Sequence, residues 1–142
     1  MPLLISLWPP FWFTGIKFTH ISPDFRHIRV RMALRFYNKN IIGIHYGGNL
    51  FSMTDPCFMM MLMRNMGNNY KVIDQSGAIE FIKPGRGTVT ANCYLLQEDV
   101  DDIIMATKSG DKYFKNFSID IVDEQSEVIA RVKRSIYIRK RL

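Results

Sequence analysis

Asp55 is the residue around which chemistry can be arranged. It sits in Gly47-Gly48-Asn49-Leu50-Phe51-Ser52-Met53-Thr54-Asp55-Pro56, the opening of the most apolar stretch of the chain, Gly47 to Met66. A carboxylate on an enclosed apolar helix is costly unless it is paired or working as a base or nucleophile. Pro56 leaves two placements open. Asp55 can be an N-cap with Pro56 at the first helical position. Alternatively the helix starts near Gly48, Pro56 kinks it, and Asp55 points into a site.

The element carrying Asp55 reads as a central helix. Leu50, Phe51, Met53, Phe58, Met59, Met60, Met61, Leu62, Met63 and Met66 cover nearly every side of it. A helix apolar all round is buried, in a protein core or in a membrane. The unbroken apolar run, Cys57 to Met63, is far below the roughly 20 residues of a membrane span, so no membrane span is expected.

Strands flank this helix. Gly15 to Ser22 reads as one. Arg26 to Tyr37 alternates, with Ile28, Val30, Met32, Leu34 and Phe36 on one face and Arg29, Arg31 and Arg35 on the other. Tyr70 to Lys83 reads as a long strand, with Ile79 and Phe81 on one face. Pro84-Gly85-Arg86-Gly87 is then a tight turn into a hairpin partner, Thr88 to Leu96. Glu98 to Thr107 reads as a short acidic helix or turn, and Phe117–Val122 and Val128–Ile138 form a second hairpin. Arg134 interrupts the apolar face of Val128, Ala130, Val132, Ile136 and Ile138. Either a bulge turns it outward, or it lies at the mouth of a cavity. At the start of the chain, Pro9-Pro10 should end a helical turn over residues 3–8. Trp8, Phe11, Trp12 and Phe13 should pack on the body or on a second subunit. Two strands, one greasy helix and four strands make an α+β domain, a curved antiparallel sheet wrapped around the helix. With 142 residues, a single domain over 1–142 is expected.

Charge narrows the function classes. The net charge is +6. It is concentrated in Arg26–Lys39 and Arg131–Arg141, neither of which contains an acid. Such a balance suits an anionic partner: nucleic acid, a membrane surface or a phosphorylated small molecule. No helix-turn-helix, zinc-finger or RNA-binding signature occurs, so nucleic acid is not expected. Cys57 and Cys93 read as buried free thiols, fitting a reducing cytosol, and neither has metal-ligand spacing with a histidine. A cytoplasmic protein without a metal is expected. The N-terminus has no basic n-region and reads neither as a signal peptide nor as an anchor.

Asn40-Ile41-Ile42-Gly43-Ile44-His45-Tyr46-Gly47-Gly48, followed by Leu50 to Asp55, resembles the signature of hotdog-fold acyl-CoA thioesterases. The relevant group is the phenylacetyl-CoA thioesterase type, whose motif reads roughly N-x-x-G-x-x-H-G-G and then an acid on the helix. The chain is also similar to a branch of bacterial hotdog proteins of thioesterase type. The strand order fits from about Gly15 to Ile138. The resemblance implies a catalytic role for Asp55 as base or nucleophile on the thioester. It implies that the Gly48 backbone N–H, at a helix N-terminus, polarises the carbonyl, as free helix-terminal donors can. Asn40 matches the asparagine that helps position the site. Tyr46 stands where the family has His, with His45 one residue earlier. Tyr46 can still donate through its hydroxyl, while His45 reads more readily as a packing residue.

The expected activity is hydrolysis of an acyl-CoA to free acid and CoA. Coenzyme A would be part of the substrate, with no separate cofactor, and Arg86, Arg134 and Arg139 are candidates for its phosphates. A homo-oligomer, dimer or tetramer, is expected from the resemblance and from unpaired sheet edges. A non-catalytic acyl-CoA or fatty-acyl binding protein or sensor of the same fold is the alternative, favoured by the loss of the family His. A hotdog dehydratase is less favoured, since those enzymes generally use a catalytic His.

Overall fold

The computed structural model describes residues 2–141. Its strands are β1 (Ile16–Ile21), β2 (His27–Ala33), β3 (Tyr70–Phe81), β4 (Thr88–Tyr94), β5 (Tyr113–Val122) and β6 (Val128–Lys140). They form one antiparallel sheet in the order β1-β2-β4-β5-β6-β3. Side-chain alternation fixes which face is inward. Ile28, Val30 and Met32 of β2 are buried, as are Val89, Ala91 and Cys93 of β4 and Ala130, Val132, Ile136 and Ile138 of β6.

The inward face is covered by two helices. α4 (Cys57–Met66) lays Cys57, Phe58, Met61 and Leu62 on the sheet, one stripe of a helical surface. The Phe58 ring stacks on Phe117 at 3.9 Å. Enclosure is not complete: Met63 is 54% exposed, so α4 is one-sided rather than buried all round. α5 (Gln97–Thr107) buries Val100, Ile103 and Thr107. Asp99 accepts the Leu96 N–H at 3.0 Å and closes its first turn.

The helix expected over Gly47–Met66 is split. α3 (Gly47–Ser52) precedes α4, and residues 53–56 break them. Thr54 N bonds Phe51 O and Asp55 N bonds Ser52 O, tightening the last turn to three-residue spacing. Pro56 then has no N–H to give.

Three expectations are corrected. β4 does not pair with β3. It pairs with β2 and β5, while β3 lies at the sheet edge on β6. Residues 84–87 are therefore a crossover along the end of the sheet, not a hairpin turn. Their carbonyls are taken elsewhere: Gly85 O by His45 N, and Gly87 O by Leu34 N. β2 stops at Ala33, because the Asn38 amide folds back onto Ala33 O and Thr14 O, both at 2.9 Å. Leu34 is only partly buried and Phe36 is 84% exposed. Finally, Pro9 opens a second short helix, α2 (Pro9–Trp12), after α1 (Pro2–Ser6). A missing N–H costs nothing at that position. Phe11 packs edge-on against Phe18, but Trp8, Trp12 and Phe13 stay largely exposed.

Candidate functional site

Arg134 organises the site. It points inward from β6 with no bulge at its position, the cavity-mouth alternative of the two. Its Nη2 donates to Phe51 O at 2.9 Å and to Thr54 Oγ1 at 3.1 Å, and its Nη1 donates to Asp55 Oδ1 at 3.3 Å. The guanidinium also lies 4.5 Å from the Phe51 ring centroid. One strand side chain thus staples the α3–α4 break to the sheet. Its partner across the ladder is Gly77, where a Cβ would approach the Phe51 ring to 2.9 Å.

Asp55 is neither an N-cap nor a buried unpaired charge. No side chain caps α4. The Asp55 side chain is 62% exposed and held by Arg134. Arg134 is accordingly committed to the α3–α4 break and is not a free cation for phosphate.

Gly48 shares a surface pocket with Asp55. About 380 Å³ in volume, it is walled by Trp8, Phe11, Phe51 and Arg134. The first helical bonds of α3 run from Asn49 and Leu50 to Tyr46 O. The N–H groups of Gly47 and Gly48 have no acceptor among the described residues, and Gly48 is exposed. A free amide and a carboxylate on one pocket can polarise a carbonyl and take a proton from an attacking water.

Asn40 faces a different pocket, about 450 Å³, with His45, Gly47 and Leu50. Its Oδ1 accepts from Ile42 N and Ile44 N at 3.1 and 3.2 Å, shaping the loop. Within one chain it is not brought onto the Asp55 pocket. Tyr46 is exposed, and its ring lies against Gly48, where a Cβ would meet it at 2.7 Å. His45 is buried, with Nε2 at 2.7 Å from Gly87 O. Burial holds its pKa below the ordinary value and the Gly87 bond opposes that. It is a structural bridge to the crossover loop.

The remaining cations are spread out. Gly85 lies against Ile129, which places neighbouring Arg86 at one end of β6, whereas Arg139 pairs with Lys71 at the other. The interval from Ala130 to Arg139 spans about 30 Å of strand. One phosphate group cannot meet both within a chain. Arg139 lines a small basic groove with Lys71, Lys140 and Arg141. Cys57 is buried, with Sγ 3.9 Å from Met53 O; the neighbouring Cys93 thiol and burial push its own thiol well above the ordinary value.

Residues 2–138 match the family model described as a domain of unknown function, DUF4442. The chain belongs to the DUF4442 family. Solved structures resemble this DUF4442 chain over nearly its whole length. A Pseudomonas aeruginosa protein called a probable thioesterase has a TM-score of 0.79 at 21% identity, covering 99% of this chain and 97% of that one. A Haemophilus influenzae thioesterase has a TM-score of 0.72 at 13% identity, covering 98% and 88%. The PaaI protein from the E. coli phenylacetic acid degradation operon has a TM-score of 0.63 at 17% identity, covering 99% and 88%. No curated protein sequence matches the chain. The fold is therefore the hotdog fold, α+β, as the resemblance implied. No helix of the DUF4442 chain is long and apolar enough to cross a membrane among the described residues.

Two residues near the site escaped the sequence reading. Asp74 follows Tyr70 and Val72 on the half-buried face of β3, and an acid at the third place of that alternation was the available signal. Gly77 gave none, because its meaning depends on Phe51 and Arg134 arriving from elsewhere in the chain.

Proposed function

We propose that the chain is an acyl-CoA thioesterase. The observation that carries this reading is the pairing, on one pocket of a hotdog fold, of the exposed Asp55 carboxylate with the free Gly48 amide. The thioester carbonyl accepts a hydrogen bond from Gly48 N–H. Asp55 takes a proton from water as the water oxygen bonds to the carbonyl carbon. The carbon–sulfur bond then breaks, its electron pair leaves on sulfur, and the thiolate takes the proton held by Asp55 to leave as free CoA, with the carboxylic acid as the other product. Names carried by structural neighbours, thioesterases among them, support the assignment by fold.

The site is read as shared between two copies. The outer edge of β3, a strand of 12 residues, has no partner strand among the described residues, and Asp55, Gly48, Trp12 and Phe13 are open. Pairing two such edges would cover them. It would also let the Asn40 pocket of one chain approach the Asp55 pocket of the other.

A second reading is favoured by Tyr46 at the family His position together with the tying of His45 to Gly87. It is an acyl-CoA binding protein without turnover. Thiol release from acetyl-, hexanoyl- and palmitoyl-CoA separates the two. Release with any of them, lost in Asp55→Asn, is expected. Tight binding of all three with no release would leave the binding reading in its place.

A further inference from the structure

Among the described residues, three buried side-chain polar atoms have no hydrogen-bond partner: His45 Nδ1, Asp74 Oδ1 and Arg134 Nε. Such atoms are rare in folded proteins, and each calls for a reason. Two of the three belong to the inward face of the β3–β6 pair, with no ion pair or hydrogen bond between them among the described residues. Asp74 stands opposite Ile136 and Gly77 opposite Arg134, with the ladder slipping between Asp74 and Ser76. Asp74 and Arg134 are thus diagonal neighbours on one face, a placement in which long side chains reach each other. Tyr70 and Val72, which precede Asp74 on that face, pack against the core. The Arg134 side chain, which already holds Asp55, is 5% exposed.

We propose that Asp74 is a positioning residue of the candidate site, sharing the Arg134 guanidinium with Asp55. The proposal rests on the reading of Asp55 as the base. When Asp74 carries a proton, Arg134 has one carboxylate to hold, Asp55. When Asp74 ionises, it draws on the same guanidinium, and the hold on Asp55 loosens. The carboxylate is then freer to meet a water.

The surrounding charges fit this division. Arg134 is the diagonal neighbour of Asp74 on β6, and the Asp55 charge also acts on it from the α3–α4 break. On β5, Lys115 stands across from Ile136, but it is committed to Asp99 and Asp102 of α5 at 3.2 and 3.3 Å. On α4 the Cys57 thiol feels both Arg134 and Asp55 and stays protonated. Burial pushes the Asp74 carboxyl above its ordinary range. The Arg134 charge opposes that, and the Asp55 charge adds to it.

The test uses the full chain, labelled with carbon-13 at aspartate carboxyls and nitrogen-15 in arginine, in wild-type, Asp74→Asn and Asp74→Glu forms. Titration of the Asp74 carbon should move the Arg134 Nε–H resonance with the same midpoint, and Asp74→Asn should abolish that movement. With hexanoyl-CoA, Asp74→Asn should lower kcat about tenfold with KM within about twofold. It should remove one ionisation from the acid limb of the kcat profile, and Asp74→Glu should restore it. An Arg134 Nε–H that ignores the Asp74 titration overturns the proposal, as does a kcat profile in Asp74→Asn identical to wild type. A coupled Asp74–Arg134 titration in a chain that hydrolyses no acyl-CoA sinks the enzyme reading and leaves the shared arginine standing.

Discussion

Arg134 Nη1 lies 3.3 Å from Asp55 Oδ1 and joins strand β6 to the turn that splits the helix. The two ends of this contact live in different surroundings: 5% of the arginine side chain is exposed, against 62% of the aspartate. Water screens the open end, so the ion pair itself adds only about 0–1 kcal/mol. The bonds from Arg134 to Phe51 O and Thr54 Oγ1 are buried or nearly so and contribute more of the stapling. Variants at the two ends should therefore behave differently.

Asp55→Asn should reduce acyl-CoA hydrolysis at least about 100-fold, the loss of a general base. Its melting temperature should stay within about 2 °C of wild type, since an exposed pair adds little. Asparagine also keeps an oxygen for Arg134. Undiminished thiol release from this variant would end the base assignment.

Arg134→Ala should cost about 2–4 kcal/mol in urea unfolding, because it strips the Phe51 carbonyl and Thr54 hydroxyl of a buried donor and leaves a cavity. Arg134→Lys should recover little of this, since an ammonium cannot fork between the same acceptors. A urea midpoint equal to wild type would show that the α3–α4 break holds without the staple.

His45 makes stability depend on pH. In the fold its pKa is lowered, so it stays neutral where an unfolded His, near 6.5, takes a proton. The unfolded chain thus binds more protons, and stability rises with pH through this window. The contribution is present above about pH 6.5 and drains away as pH falls below it. Urea unfolding at pH 7 and pH 5 should show the loss in wild type and a flatter response in His45→Gln. Equal slopes in the two proteins would count against it.

Arg139 and Arg86 should separate kinetically. Arg139 sits in a basic groove with Lys71 and Arg141. Arg139→Gln should raise KM for acyl-CoA several-fold at unchanged kcat and weaken its salt dependence, whereas Arg86→Gln should do neither. The reverse pattern would move the CoA phosphates to the crossover loop.

Mixed dimers test the shared site. Asp55→Asn and an inactive Asn40→Ala chain are unfolded and refolded together. If Asp55 and Asn40 of one site come from different chains, each mixed dimer holds one intact site and activity returns. If both come from one chain, every site carries a lesion and nothing returns. A fully active monomer by light scattering would also exclude sharing.

The strands whose alternation is local could be read directly. Ile28, Val30 and Met32 and the β5–β6 hairpin follow from neighbours a few residues apart, while the segment that forms α5 left helix and turn both open. The partner of β3 could not. Thr88–Tyr94 follows β3 at once in sequence, yet β6, almost fifty residues further on, takes its edge. The end of β2 was equally hidden, because it depends on an asparagine side chain reaching back to Ala33 O. At the site, Asp55, Gly48 and the misfit of Arg134 on an apolar face were visible as residue types. Their meeting was not, since Arg134 reaches Asp55 only after β6 and the helix break are brought together. The assignment of Asn40 to that same pocket came from the motif, and within one chain the geometry keeps the two apart.

Gly77 carries a consequence for how such a site can be altered. A methyl group there would come within 2.9 Å of the Phe51 ring. The bare backbone at that point is a shim, and its thickness sets the altitude at which the corner between α3 and α4 rides above the sheet. Alanine would press on the tip of that ring, which would have to swing aside, and would crowd the guanidinium that holds the neighbouring carboxylate. The reach of Asp55 is thus tunable from an edge strand, by a position that need never touch a substrate.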